Sequence, residues 1–170
     1  TAYIDTDVSP GIPQYYYFTV SSDGDESGAS NIAVATPSDT IPPVVIHQPV
    51  SVVSSGSNLT LRATVTDNIA VTGVNIVLRN AASSSWQTRT MVNTQTSKYS
   101  ITIEPSAIGG QYLEYYIEGI DSFNTALSGS ETSPHKVYVS LPSNSDTDGD
   151  GVNNATDDFP YDPNEFNDLD

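Results

Sequence analysis

The sequence predicts an all-β protein built as a sandwich of two sheets. Short runs rich in Val, Ile, Tyr and Thr recur between clusters of Gly, Pro, Ser and Asn, which is typical of a β-sandwich. The run from Leu59 to Val65 alternates apolar and polar residues, as a half-buried strand does. No stretch sustains the period of an amphipathic helix. The 170 residues suffice for one or two domains.

The middle of the chain contains seven predicted strands, which is the number expected of one sandwich domain of about 100 residues. They cover residues 44–47, 59–65, 74–79, 86–91, 99–103, 112–120 and 136–139. Within them, TDNIAVTGVNIVLR (66–79) and EYYIEGIDSFNTALS (114–128) resemble the bacterial immunoglobulin-like modules of large secreted proteins. The resemblance implies an immunoglobulin-like β-sandwich over residues 41–141.

Residues 1–40 have a different pattern. A Pro-Gly turn, the strand YYYFTV, the turn SDGDESGAS and a last strand precede the stiff linker SDTIPP, residues 38–43. These features resemble the C-terminal part of a fibronectin type III domain, although residues 12–14 lengthen its turn and loosen the register. A period of two points Tyr16, Phe18 and Val20 inward and Tyr15, Tyr17 and Thr19 outward.

Only about three strands of such a domain are present, and three strands leave one apolar face open. A fragment that begins at Thr1 is therefore not expected to be stable by itself. We expect strands from upstream sequence, or another polypeptide, to complete this half-domain.

The stretch SDTDGDGVNNATDDFP, residues 145–160, places Asp at alternate positions and then a Gly. Calcium takes about six to eight oxygen ligands, which a loop supplies from alternate residues if a Gly permits a sharp turn. In a twelve-position loop that begins at Asp146, Gly151 is sixth, Val152 offers its carbonyl at the seventh, and Asn154 at the ninth ligates directly or through water. An Asp at the twelfth position is shorter than the usual Glu and requires tighter closure. The predicted Ca²⁺ ligands are Asp146, Asp148, Asp150, Val152, Asn154 and Asp157.

Pro and Asn on both sides of this stretch disfavour the flanking helices of an EF-hand. DTDGDGVNNATDDFP instead resembles a thrombospondin type 3 repeat, which is an irregular Asp-rich loop wrapped around calcium. The resemblance implies a calcium-binding segment over residues 142–170, in which NEFNDLD (164–170) begins a second repeat. Thr156 and Phe159 stand where that family often has Cys, so the metal would be the main crosslink. The alternative is a solvated, disordered acidic linker; the Gly at the sixth position and the amide at the ninth favour the metal site.

Charge and composition exclude several functions. The 21 acidic residues against 5 basic ones give a net charge of −16, which repels nucleic acid and anionic lipid. No apolar run approaches the ~18 residues of a membrane-spanning helix. The absence of Cys removes disulfides and thiolate metal sites. Abundant Ser and Thr, scarce Lys and an acidic isoelectric point suit a secreted, extracellular or cell-surface protein.

A few other residues are candidates. His47 and His135 lie on predicted first and last strands that can be neighbours, so they form either a two-His metal site or pH switch, or the commoner pair of ordinary histidines. Trp86 is either a platform for sugar stacking or, as we favour, part of the packing. Asp67 and Asp121 fall at turns, where Asp bonds local backbone; a second calcium site between domains is the less favoured alternative. One of Tyr112, Tyr115 and Tyr116 is a candidate tyrosine corner.

No catalytic site is expected in this chain. Neither histidine lies in a recognisable nucleophile motif, and paired carboxylates occur only in the predicted calcium loop. The predicted function is a non-catalytic structural spacer of a secreted or cell-surface protein, with a calcium-stiffened Asp-rich repeat. The alternatives are an adhesive or carbohydrate-binding module, with extracellular polysaccharide or a surface protein as partner, and an accessory C-terminal region of a secreted hydrolase whose catalytic domain lies elsewhere.

Overall fold

The computed structural model describes residues 2–164, and nearly all of its regular structure is β-strand. A single helical turn, α1 (Pro105–Ile108), joins two strands. In chain order the strands are β1 (Gln14–Tyr16), β2 (Ser21–Ser22), β3 (Asp25–Glu26), β4 (Ala33–Ala35), β5 (Val44–His47), β6 (Val52–Ser54), β7 (Leu59–Thr66), β8 (Gly73–Asn80), β9 (Gln87–Thr90), β10 (Val92–Gln95), β11 (Lys98–Ile103), β12 (Tyr112–Ile120), β13 (Thr125–Ser128) and β14 (His135–Ser140).

Two sheets form the sandwich. One has the order β10-β11-β7-β5, and the other has the order β6-β14-β12-β8-β9, with β13 also paired to β12. Neighbours are antiparallel except β14 and β6, which are parallel. The two sheets pack face to face around one core. The predicted all-β sandwich is confirmed.

All seven strands predicted between residues 44 and 139 are present to within one residue at each end. The alternation of β7 is also confirmed, because Leu59, Leu61, Ala63 and Val65 are buried. Three strands of the sandwich were not predicted: β6, β10 and β13. Each has only three or four residues and buries little, so its own sequence carries no clear period, and pairing with a longer neighbour determines it.

The core lies between the two sheets and is contributed mainly by β7, β8 and β12. Tyr115, Ile117 and Ile76 are fully buried there. Buried Met91 marks the point at which the chain leaves β9 in one sheet and enters β10 in the other. Its N–H donates to the Val74 carbonyl at 2.8 Å, which fixes the crossing.

The N-terminal residues form two small ribbons, in which β1 pairs with β4 and β2 pairs with β3. The predicted inward face is not buried within residues 2–164: Phe18 and Val20 are 70% and 69% exposed. Tyr16 is half-buried, and its hydroxyl donates to Asp5 at 3.1 Å. A partner that completes this unit stays a prediction.

Candidate metal sites

The acidic loop, residues 145–160, folds as tight turns that two glycines permit. Gly149 and Gly151 have φ of +82° and +97°, which L side chains rarely adopt. Gly151 is the residue predicted at the sixth position. Asp146 lies inside these turns and accepts the N–H of Gly149 at 2.8 Å and that of Gly151 at 2.9 Å.

Three further carboxylates of the loop each bond only through one oxygen. The Oδ1 atoms of Asp148, Asp150 and Asp157 accept backbone N–H groups two residues ahead, at 3.3, 2.8 and 2.8 Å. Their Oδ2 atoms are inaccessible to solvent and have no hydrogen-bond partner. A buried carboxylate oxygen without a partner is unfavourable. A bound cation would satisfy such an oxygen.

Three of the four loop carboxylates are close enough together to bind one metal ion. Ligand oxygens of Asp146, Asp148 and Asp150 lie within 4.8 Å of one another. Two oxygens that bind one calcium ion at about 2.3–2.6 Å can be no further apart than about 5 Å. Asp157 is 7% exposed and is not one of the three residues whose oxygens meet this distance, so it stays a predicted ligand. Burial raises the pKa of the Asp148 carboxyl above its ordinary value, and the charges of the neighbouring loop carboxylates, Asp157 included, raise it further.

Asn154, the ligand predicted at the ninth position, holds the loop closed in the structure, and its part in binding a metal stays a prediction. Its Oδ1 accepts the Thr147 N–H at 3.1 Å, and its Nδ2 donates to the Pro142 carbonyl and to Thr147 Oγ1, both at 3.0 Å. The side chain therefore closes the acidic loop and ties it to the end of the sandwich. The carbonyl of Val152 stays a predicted ligand; its N–H bonds Asp150.

Tyr161, the residue directly after the acidic loop, contacts the sandwich. The Tyr161 hydroxyl donates to the Gly110 carbonyl at 3.3 Å, and burial raises its pKa. Tyr161 and Thr147 line a cavity of about 210 Å³ together with α1 and the end of β6. The loop is thus packed against the end of the sandwich from which β14 leaves.

A second group of carboxylates, the aspartate trio, consists of Asp39, Asp67 and Asp121. Their ligand oxygens also lie within 4.8 Å of one another. The predicted local bonds are present, because Asp67 accepts the N–H groups of Ile69 and Ala70 at 2.8 and 2.9 Å, and Asp121 accepts two N–H groups of its own turn. Asp39 was not singled out from the sequence, because one Asp in a Pro-containing linker carries no metal pattern.

The two histidines are neighbours, as predicted, with ring centroids 5.3 Å apart. Both nitrogens of His47 are already bonded, to the Arg62 carbonyl at 2.6 Å and the Tyr115 hydroxyl at 2.8 Å. This leaves His47 without a nitrogen for a metal, so the geometry disfavours a two-His site.

Burial raises the pKa of Tyr115 to about 12. The Tyr115 hydroxyl bonds His47 in the opposite sheet and the backbone of Val50, which is distant in the chain, instead of the backbone a few residues upstream that a tyrosine corner uses.

Trp86 packs at the edge of the second sheet. Its ring meets Tyr116 edge-on, with centroids 5.4 Å apart, and the Arg79 guanidinium lies 4.4 Å from its centre. The side chain is half-buried. These contacts support the packing role over a sugar platform.

Comparisons with known proteins leave the family of the chain open. The chain matches no protein-family model and no curated protein. Among solved structures it is similar to the endo-beta-1,4-mannanase from Thermotoga petrophila, at 12% identity and a TM-score of 0.45, over 61% of this chain and 21% of that one. An engineered protein is similar at 14% identity and a TM-score of 0.44, over 62% of this chain and 22% of that one. The chain spans about a fifth of either structure, and likenesses this weak carry no functional argument.

Among the described residues, no helix is long and apolar enough to cross a membrane.

Proposed function

We propose that this chain is a non-catalytic structural spacer of a secreted or cell-surface protein, and that calcium stiffens its acidic loop. The observation that supports calcium binding is the set of three buried, unpartnered Oδ2 atoms of Asp148, Asp150 and Asp157. Ligand oxygens of Asp146, Asp148 and Asp150 lie within 4.8 Å of one another, and Asp157 is a further predicted ligand.

The chemistry of the donors favours calcium over other metals. Four of the predicted side-chain donors are carboxylates, and carboxylate oxygens suit hard cations, whereas zinc and copper prefer His and Cys. Residues 142–170 contain no Lys or Arg, so no basic side chain of this segment can neutralise the carboxylates. Calcium takes about six to eight oxygens and tolerates irregular geometry, which a loop of this kind supplies more readily than the strict octahedron of magnesium.

Calcium binding would stiffen the segment that leaves the sandwich. Without a cation, the loop carboxylates repel one another, so the compact turns are disfavoured. Binding free energy then becomes folding free energy. Because Asn154 and Tyr161 attach the loop to Pro142 and Gly110, an ordered loop continues the rigid sandwich and does not swing from it.

Calorimetric titration of the chelator-stripped chain with calcium tests the proposal. We expect Asp148→Ala to weaken binding at the acidic loop at least about tenfold, since carboxylate ligands set calcium affinity. Calcium should also slow hydrogen exchange over residues 146–160 in the wild type and not in the variant. Asp25→Ala, which removes an exposed carboxylate of β3, is the control and should bind as the wild type does. Indistinguishable titrations and exchange for wild type and Asp148→Ala would contradict calcium binding at the loop.

A further inference from the structure

The aspartate trio lies where the chain enters the sandwich, at the end opposite the acidic loop. Asp39 belongs to the linker before β5, Asp67 follows β7, and Asp121 follows β12. Antiparallel pairing brings the start of β5 beside the end of β7, with Val44 opposite Thr66. Three segments that are far apart in sequence therefore present carboxylates to one point.

The trio is buried more deeply than surface acidic groups are. Asp39 and Asp121 are 4% and 5% exposed, and Asp67 is half-buried. Each carboxylate uses Oδ1 for backbone N–H groups two or three residues ahead. The Oδ2 atom of Asp67 is inaccessible to solvent and has no hydrogen-bond partner. The trio therefore combines two buried carboxylates with one desolvated oxygen, Asp67 Oδ2, that has no hydrogen-bond partner.

No basic side chain compensates this charge among residues 2–164. The ion pairs there are those of Arg79 and Lys136 with Glu114, which lies near the start of β12, whereas Asp121 follows the end of that strand. The amide nitrogen of Asn68 donates to Asp39 Oδ1 at 3.3 Å, and that of Asn124 donates to Asp121 Oδ2 at 3.1 Å and to the Asp39 backbone carbonyl at 3.3 Å. These amides supply dipoles without a charge. Burial of close carboxylates without a counter-charge is strongly unfavourable. A bound cation would supply the missing counter-charge.

We infer that the aspartate trio is a second divalent-cation site for a hard cation of the calcium class, and that it ties the linker of residues 38–43 to the sandwich. Three carboxylates from separate segments, within 4.8 Å of one another, form a cage of oxygen ligands. Zinc is disfavoured because neither His nor Cys belongs to the group. The bound ion would fix the linker to the turns after β7 and β12 and would make the junction rigid.

The test separates this site from the acidic loop. In an Asp148→Ala background, which weakens the loop site, calcium is titrated into the full chain with and without Asp67→Asn. We expect Asp148→Ala to retain one class of calcium sites, and Asp67→Asn to weaken that class at least about tenfold, since ligand charge sets affinity. Magnesium in place of calcium should bind more weakly. Absence of calcium binding by Asp148→Ala, or equal binding by both variants, would overturn the inference.

Asn at position 67 keeps the shape of the side chain and an oxygen for the N–H groups of Ile69 and Ala70, so the turn should persist. Circular dichroism checks folding, and Asp25→Asn is the matched control at an exposed position. Limited proteolysis of residues 38–43 gives a second readout. Calcium should protect the linker in Asp148→Ala and not in Asp148→Ala/Asp67→Asn; equal cleavage with and without calcium in Asp148→Ala would also overturn the inference.

Discussion

At the scale of single residues, Gly119 is a position at which the core leaves no room for a side chain. It lies in β12, and a Cβ atom added there would be 2.8 Å from Val45 Cγ2 and 2.8 Å from Val65 Cγ1. Both neighbours are branched valines in the opposite sheet, so neither can move aside without a shift of its strand. At this point the backbone of β12 packs directly on the valine side chains of the opposite sheet.

Gly119→Ala is expected to lower the free energy of unfolding by about 1–3 kcal/mol, as overpacking of a core does. Denaturant unfolding with a constant m-value measures it. Gly73→Ala is the matched control, because Gly73 begins β8 and an added Cβ meets nothing within 4 Å. That change should stay within about 0.5 kcal/mol of the wild type. Equal effects of the two substitutions would contradict the close packing.

At the scale of strands, a polar cluster links the two sheets inside an otherwise apolar sandwich. His47 lies on β5, His135 begins β14, and Tyr115 lies on β12. The Tyr115 hydroxyl meets His47 Nε2, and His135 Nε2 meets Ser128 Oγ at 3.1 Å. Burial, and then the charge of His47, lower the pKa of His135 below its ordinary value, while Ser128 opposes this. The cluster therefore favours neutral His135 in the folded state.

This cluster predicts a loss of stability in mild acid. Because the pKa of His135 is lower in the folded than in the unfolded chain, its contribution is complete above the ordinary value of about 6.5 and declines as the pH falls below it. Unfolding free energies between about pH 7.5 and about pH 5.5, in excess calcium, should fall more steeply for the wild type than for His135→Gln. Parallel pH profiles would contradict this assignment.

At the scale of the whole molecule, the two acidic groups lie at opposite ends of the sandwich. The strand β12 runs from the end beside the acidic loop to Asp121 of the aspartate trio, and its nine residues span about 25–30 Å. A cation at each end would hold the incoming linker and the outgoing segment to one rigid body. The arrangement supports a module that fixes distance and direction within a longer array.

Sites this far apart should contribute independently to stability. The rise in melting temperature on adding calcium should be reduced by Asp148→Ala and by Asp67→Asn, and the two reductions should add in the double variant. Differential scanning calorimetry with a fixed excess of calcium measures the four proteins, and Asp25→Asn serves as control. A double variant no worse than either single one would show one coupled site instead of two.

The sequence by itself determined the strands with their own clear period and the spacing of the acidic loop. The alternation of residues 59–65 is local, and so is the succession of Asp146, Asp148, Asp150 and Gly151, so both are readable without any knowledge of neighbours. Short β6, β10 and β13 have no such signal. Only pairing with longer strands made them part of a sheet.

Tertiary structure alone decided which side chains meet. Asp39 and Asp121 are 82 residues apart, and they converge because strand pairing brings the linker and two turns to one end of the sandwich. Asn154 fits a ligand pattern by spacing, and only the fold shows that its amide nitrogen also bonds the Pro142 carbonyl and Thr147. Local spacing specifies which groups are available, whereas the register of distant strands determines their partners, and no single stretch of sequence encodes that register.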